Sequence, residues 1–208
     1  MNEYLLFKEQ LNNLLENNVR PTLLLHSCCG PCSSYTLEFL NKYFDITVFY
    51  YNPNIYPSEE FDKRLDEQLK VIKIVDKNIK LISVKEPYSV YEDIVKGTEH
   101  LGELSVRCYK CYDFRLKRLA KFAKENNFDY FTTTLSISPY KSSKWINEIG
   151  KSLEDEKCKF LHSDFKKEGG YQKSIKFCKE YMIYRQDYCG CKSSIEEHEK
   201  RLLEKERK

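Results

Sequence analysis

Seven of the nine cysteines in this 208-residue chain stand in three tight groups: Cys28-Cys29-Gly30-Pro31-Cys32, Cys108-Tyr109-Lys110-Cys111 and Cys189-Gly190-Cys191. Nearly eighty residues separate each group from the next. Such gaps argue against a local zinc knuckle and for a site assembled by the fold. A soft metal wants thiolates, and two groups of two reaching a common point supply four. Cys108 and Cys111 open a helical stretch, where peptide N–H groups and the helix dipole favour thiolate charge. Thiolate count alone suits zinc and an iron–sulfur cluster equally, and plain burial without a metal is the simpler alternative. Cys189 and Cys191 are too close in sequence to embrace a metal comfortably with both thiols. A disulfide across one glycine closes a small strained ring, and strain makes it labile, so a redox pair is preferred over pairing with other ligands.

The rest of the chain shows how the groups can meet. Thr22–Leu25 reads as a short strand, followed by a Cys/Gly/Pro loop and helical spacing over Ser33–Tyr43. Ile46–Tyr51 is a second strand by its β-branched and aromatic content, and it ends in the stiff turn Asn52-Pro53-Asn54-Ile55-Tyr56-Pro57. A helix follows to about Val75 with Ser58 as its N-cap. Lys80–Val84 and Tyr130–Leu135 are further strands, and Cys108–Glu125 is a helix with Leu116, Leu119, Ala120 and Ala123 on one side. This alternation predicts an α/β protein with a mainly parallel, Rossmann-like sheet covered on both faces (three-layer α/β/α). Ligands in such sheets bind beyond the carboxyl ends of the strands. The segments after Leu25, Tyr51 and Leu135 then converge on one crevice.

One domain is expected over residues 1–208, an α/β core over about 21–150 and a helical or loop extension over about 151–208 that completes the site. A helix is expected near Gln172–Glu180, and Ser194–Lys208 reads as a solvated helix or frayed tail. Met1–Arg20 has mixed charge and helical apolar spacing rather than a signal's h-region. No apolar run approaches the roughly 18 residues of a membrane span. The expectation is a cytoplasmic protein without a membrane partner, where grouped thiols mean metal or redox chemistry.

The net charge of +3 does not by itself announce nucleic-acid binding. Its placement matters more: Lys141, Lys144, Lys166, Lys167, Lys173 and Lys176 lie among Tyr140, Trp145, Phe165 and Tyr171, a mixture suited to phosphates and unstacked bases. An ordinary solvated surface is the plainer alternative. Cys32 is a fifth thiol near the site and Asp113 lies two residues past Cys111; either can serve a second metal or donate a proton, while Asp113 also simply suits a helix N-terminus. His26, at a strand end facing the crevice, is a candidate proton donor. Cys158 and Cys178 stand alone and read as packing residues.

Five segments together resemble the QueH family of epoxyqueuosine reductases: His26–Cys32, Tyr51–Ile55, Arg107–Leu116, Asp164–Lys167 and Tyr184–Cys191. The similarity runs from about Leu23 to Ser194. It implies reductive removal of the epoxide oxygen of epoxyqueuosine at the wobble position of tRNA, giving queuosine and water. It further implies a 4Fe–4S cluster on Cys28, Cys29, Cys108 and Cys111 and a redox-active disulfide between Cys189 and Cys191. An additional mononuclear iron is a further possibility, with Cys32 and Asp113 as its ligands. The implied partners are the tRNA anticodon arm and an external electron donor. Candidate substrate-binding residues are Asn52, Asn54, Tyr56, Tyr140, Lys166, Tyr171, Arg185 and Tyr188; His26, Tyr188 or a thiol would supply protons. Two rivals are an ATP-dependent tRNA-thiolating or other iron–sulfur transferase and a non-catalytic zinc-bound nucleic-acid module. The first lacks a Gly-rich phosphate loop, its place being taken by Cys-Cys-Gly-Pro-Cys. The second leaves Cys32, Cys189 and Cys191 without a role.

Overall fold

The protein is described by a computed structural model over residues 3–206, so residues 1–2 and 207–208 of the two terminal segments lie outside it. Strands β1 (Thr22–Ser27), β2 (Asp45–Tyr51), β3 (Lys80–Val84), β4 (Tyr130–Thr133) and β5 (Lys159–Phe160) form one sheet in the order β3-β2-β1-β4-β5. Every neighbouring pair is parallel. The helices are α1 (Glu3–Glu16), α2 (Gly30–Leu40), α3 (Ser58–Val75), α4 (Tyr88–Val95), α5 (Val106–Glu125), α6 (Ser143–Leu153), α7 (Gly170–Glu180) and α8 (Lys192–Glu206).

The period-two alternation of β1 sorts the core into two layers. Leu23 and Leu25 face one way, into a cluster with Phe7 and Leu11 of α1, Leu37 and Leu40 of α2, Val71 and Ile72 of α3 and Phe177 of α7. Leu24 faces the other way, among Leu116, Leu119, Ala120 and Ala123 of α5 and Ile146 and Ile149 of α6. The three-layer Rossmann-like arrangement expected from the alternation is therefore present, and the sheet is wholly parallel. Cys158 and Cys178 are buried in these layers, as their isolation suggested.

Several boundaries differ from those read in the sequence. β1 continues past Leu25 to Ser27, so His26, expected at the strand end, is paired within the sheet. α2 begins at Gly30 instead of Ser33: Cys29 is its extended N-cap, and Pro31 fits a first turn where no N–H partner is needed. The N-cap of α3 is Pro57, which leaves Ser58 as the first helical residue with no capping bond, a correction to the expected cap. β4 stops at Thr133 because the chain tightens into a 3-10 turn over Thr134–Ile137, whose Leu135 N–H donates to Thr133 Oγ1. β5, two residues long, carries no readable pattern, and it joins the sheet from beyond residue 150.

The strand order places the site. From β1 the chain winds outward through β2 and β3, whereas β4 and β5 lie on the other side of β1. The carboxyl ends of β1 and β4 are thus a topological switch point, where connections leave in opposite directions and a crevice opens.

Candidate metal and redox centre

The loop leaving β1 is fixed by close packing and hydrogen bonds. A Cβ on Gly30 would stand 2.9 Å from the Glu67 carbonyl oxygen, so only glycine lets α2 approach α3 this closely. Ser27 Oγ and Ser33 Oγ both donate to Gln68 Oε1, at 2.5 and 2.6 Å, which ties the two ends of the loop to α3. So held, the Sγ atoms of Cys28, Cys29 and Cys32 lie within 4.8 Å of one another. Three thiols this close cannot all ionise without a cation. Hydrogen bonds from Cys29 and Cys32 hold the Cys28 thiol well below its ordinary pKa. Burial, with the Cys28 contact next, pushes Cys29 up to about 12, and Cys32 is raised by its bonds to Cys28 and Cys29.

Two adjoining cavities gather the other thiols. A small one of about 30 Å³ is lined by Cys28, Cys29, Cys32 and Cys189, with Asn52, Asn54, Arg64, Arg115 and Lys141 around them. A larger one of about 420 Å³ is lined by Cys32, Cys108, Cys111, Cys189 and Cys191. Its size is that of a small-ligand site. Asn54, Lys141, Gln186 and Tyr188 border both. All seven grouped cysteines therefore reach one continuous space at the switch point. Cys108 and Cys111 arrive on the first turns of α5, which starts at a Ser105 N-cap. Cys28 and Cys108 pack against the same apolar layer, while Cys111 and Cys191 share a smaller cluster with Tyr91 and Val95.

The Cys189–Cys191 loop is held differently. Gly190 has φ +118°, a conformation favouring glycine, and its carbonyl accepts from Tyr56 N–H at 2.8 Å. Arg64, 2 % exposed, donates to the Cys189 carbonyl at 2.9 Å and pairs with Glu60 at 2.6 Å. Arg107 Nη1 lies 3.6 Å from Cys191 Sγ, and its Nη2 pairs with Glu197 of α8 at 2.9 Å. Burial pushes the Cys189 thiol up to about 12 against the pull of Lys141. All nine cysteines are free thiols, so the Cys189–Cys191 disulfide expected from the sequence is not formed in this structure.

The remaining predicted residues divide. Tyr140, Tyr171, Arg185 and Tyr188 line the large cavity, with the Arg185 guanidinium 5.1 Å above the Tyr171 ring. Asn54 Oδ1, Arg185 Nη1 and Gln186 Oε1 are buried at this cavity without hydrogen-bond partners. Asn52 lines the small cavity, donating to the Ser27 carbonyl and accepting from Arg115. Tyr56 lines neither; it packs on Tyr88 under Lys192. Lys166 also lies outside both and pairs with Asp164 at 2.8 Å. Asp113 points away from the thiols and pairs with Lys117 at 2.7 Å, as two residues of helical rotation from Cys111 require. His26 is fully buried behind the cavities, bonded to Thr133 Oγ1 at 2.7 Å, close to the Tyr51 carbonyl and in contact with Arg115. Burial drops its pKa to about 3, with Arg115 adding to the effect, so the ring is neutral.

Sequence reasoning missed the buried cations. Arg64, Arg107 and Arg115 are each at most 2 % exposed; Lys141, already singled out in the basic and aromatic mixture, is half-buried with its charge upheld by Cys189, Cys28 and Cys32 against burial. A signal was present: Arg115 follows Cys111 by four residues and precedes Leu116, on the buried stripe of α5, and Arg64 interrupts the stripe Phe61, Gln68, Val71 and Ile72 of α3.

A thiol cage at the switch point of a parallel sheet, ringed by buried guanidiniums and open to a nucleoside-sized cavity, defines a Rossmann-like protein suited to a soft, anionic metal centre. The chain belongs to the QueH family: the family model described as "Epoxyqueuosine reductase QueH" matches residues 23–197. Proteins named epoxyqueuosine reductase QueH from Streptococcus pyogenes and Staphylococcus epidermidis are 40 % and 41 % identical over 181 and 179 residues, covering 85 % and 83 % of this chain and 71 % and 75 % of theirs. That of Thermotoga maritima is 38 % identical over 190 residues, 90 % of this chain and 97 % of its own. This membership sets aside the thiolating-transferase and zinc-module readings.

Proposed function

We propose that this oxidoreductase removes the epoxide oxygen of epoxyqueuosine in tRNA. The observation that carries the reading is that all seven grouped cysteines line two adjoining cavities, a small sulfur cradle and a space of about 420 Å³, with Cys32 and Cys189 bordering both. The donor set fits an iron–sulfur cluster: it is all thiol, spread over two segments, and surrounded by cationic side chains that match a negative centre. Cys28, Cys29, Cys108 and Cys111 would hold it. When bound, such a cluster supplies electrons singly at low potential.

The chain's own residues supply the rest. Converting an epoxide to an alkene breaks both carbon–oxygen bonds and consumes two electrons and two protons, releasing water. Oxidation of the Cys189 and Cys191 thiols to one disulfide yields two electrons and two protons, so the pair balances the step and an external donor resets it. Cys189 suits this because it borders both cavities and keeps its proton at neutral pH. Asn54 Oδ1 and Gln186 Oε1 offer acceptors, and Arg185 Nη1 a donor, to the hydroxyls and base edge of the substrate. The base must leave the anticodon stack, and Tyr140, Tyr171 and Arg185 at the mouth provide flat faces for it. Cys32 is the better candidate for any second iron, since Asp113 would first have to leave Lys117. Among the proton donors considered, Tyr188 and Cys189 border the cavity, whereas His26 serves behind it. No helix of the described residues is long and apolar enough to cross a membrane, and a cytoplasmic setting that keeps these thiols reduced belongs to the same reading.

The test is anaerobic purification followed by incubation with epoxyqueuosine-containing tRNA and a low-potential reductant. Iron and acid-labile sulfide in the protein, with queuosine among the digested nucleosides, are the expected result. A colourless protein carrying one zinc and leaving epoxyqueuosine intact would overturn the reading.

A further inference from the structure

One buried charge on α5 has no carboxylate to answer it. Arg115 is 1 % exposed, and among the described residues no Asp or Glu lies within ion-pair distance of it. The other two buried guanidiniums each have such a partner, Arg64 in Glu60 and Arg107 in Glu197. Arg115 is instead gripped by neutral groups. Its Nη2 donates to Asn52 Oδ1 at 2.5 Å, and its Nε faces His26 Nε2 at 3.3 Å. Asn52 is anchored on the Ser27 carbonyl and His26 on Thr133, so the ends of β1, β2 and β4 jointly fix the guanidinium plane. The remaining edge is aimed at sulfur, Nη1 lying 3.9 Å from Cys111 Sγ. Arg115 also borders the small cavity lined by Cys28, Cys29 and Cys189.

A charge withdrawn from water is normally paired or discharged, and arginine cannot discharge. The partner must then be the thiol cage itself. We propose that Arg115 is the built-in counter-cation of the metal centre, a positioning residue that acts through Cys111 to hold the centre's negative charge and to raise its reduction potential. This rests on the reading that Cys28, Cys29, Cys108 and Cys111 hold an iron–sulfur cluster. Adding an electron makes such a centre more negative, and a fixed cation with a hydrogen bond to a ligand sulfur favours the reduced form.

The competing account makes Arg115 a strut that braces β1 against β2 through His26 and Asn52. Two full-length variants separate them, Arg115→Gln without the charge and Arg115→Lys with it, each reconstituted anaerobically beside the wild type. The readouts are the midpoint potential by EPR-monitored titration, the iron and sulfide content, and the melting temperature of loaded and chelator-stripped protein. The proposal expects a more negative midpoint in Arg115→Gln, a larger drop in melting temperature for its loaded than for its stripped form, and recovery of most of the midpoint in Arg115→Lys. Failure of Arg115→Gln to retain iron while Arg115→Lys loads normally supports it equally. Equal losses of melting temperature in both forms, with the midpoint unmoved, would leave only the strut. A wild-type protein that takes up no iron and sulfide removes the functional reading and this inference together; a loaded protein whose potential ignores Arg115 removes this inference alone.

Discussion

The loop from Cys28 to Cys32 is fixed by close packing and neutral hydroxyl bonds, and the loop from Cys189 to Cys191 is held by backbone bonds together with two buried arginines. In the first, a glycine against the Glu67 backbone and two serine bonds to Gln68 hold the segment that carries the three clustered thiols. In the second, Arg64 and Arg107 reach across from α3 and α5 to the Cys189 carbonyl and the Cys191 sulfur. Charged grips of this kind respond to the charge of the sulfur they face, whereas the neutral contacts of the first loop do not. Both loops border the same space, one held by neutral contacts and the other by charged ones.

That difference can be tested at each loop and at the strand end behind them. Arg64→Leu removes one member of a buried ion pair and the grip on Cys189, and the expected loss is about 3–5 kcal/mol in urea unfolding. A loss under about 1 kcal/mol would mean that the Gly190 backbone bonds hold the second loop unaided. Gly30→Ala forces a Cβ against the Glu67 carbonyl, 2.9 Å away, and costs about 1–3 kcal/mol, with lower iron retention on reconstitution. Unchanged stability and iron content would show that the first loop has slack. The last effect, the smallest over any one pH unit, sits behind both loops at the end of β1. His26 keeps a folded pKa of about 3, below the unfolded value of about 6.5, so the unfolded chain binds more protons between these values. Its stabilising contribution is complete above the unfolded pKa and is lost as pH falls toward 3, by at most about 1.4 kcal/mol per pH unit. The His26→Gln variant of metal-free protein should show a shallower fall over this range than wild type, and an identical slope would refute the assignment.

Much of this was readable in advance where local pattern governs. Lys80–Val84 is a strand as read, the apolar stripe Leu116, Leu119, Ala120 and Ala123 is the buried side of α5, and the lone Cys158 and Cys178 are packed in the core. Where contacts between distant segments govern, the reading fell short. His26 was read at a strand end facing the crevice; pairing with both β2 and β4 carries the strand to Ser27 and turns the ring toward α5, behind the cavities. Tyr56 and Lys166 belong to segments that approach the crevice, yet their partners, Tyr88 and Asp164, draw them aside. Asp113, two residues of helical rotation past Cys111, is likewise drawn to a neighbour, Lys117.

Spacing and residue type determined by themselves that this chain carries a thiol-based centre on an α/β sheet, because cysteine grouping and the periods of strands and helices are written along the chain. The tertiary structure decided which charges stand behind the sulfur. Arg64, Arg107 and Arg115 have no assigned role in the sequence reading, and they become buried only when α3 and α5 pack over the switch point. Burial strips their water and leaves sulfur, backbone and a few side chains as their surroundings, so their meaning depends on a neighbourhood that no single stretch of the chain contains.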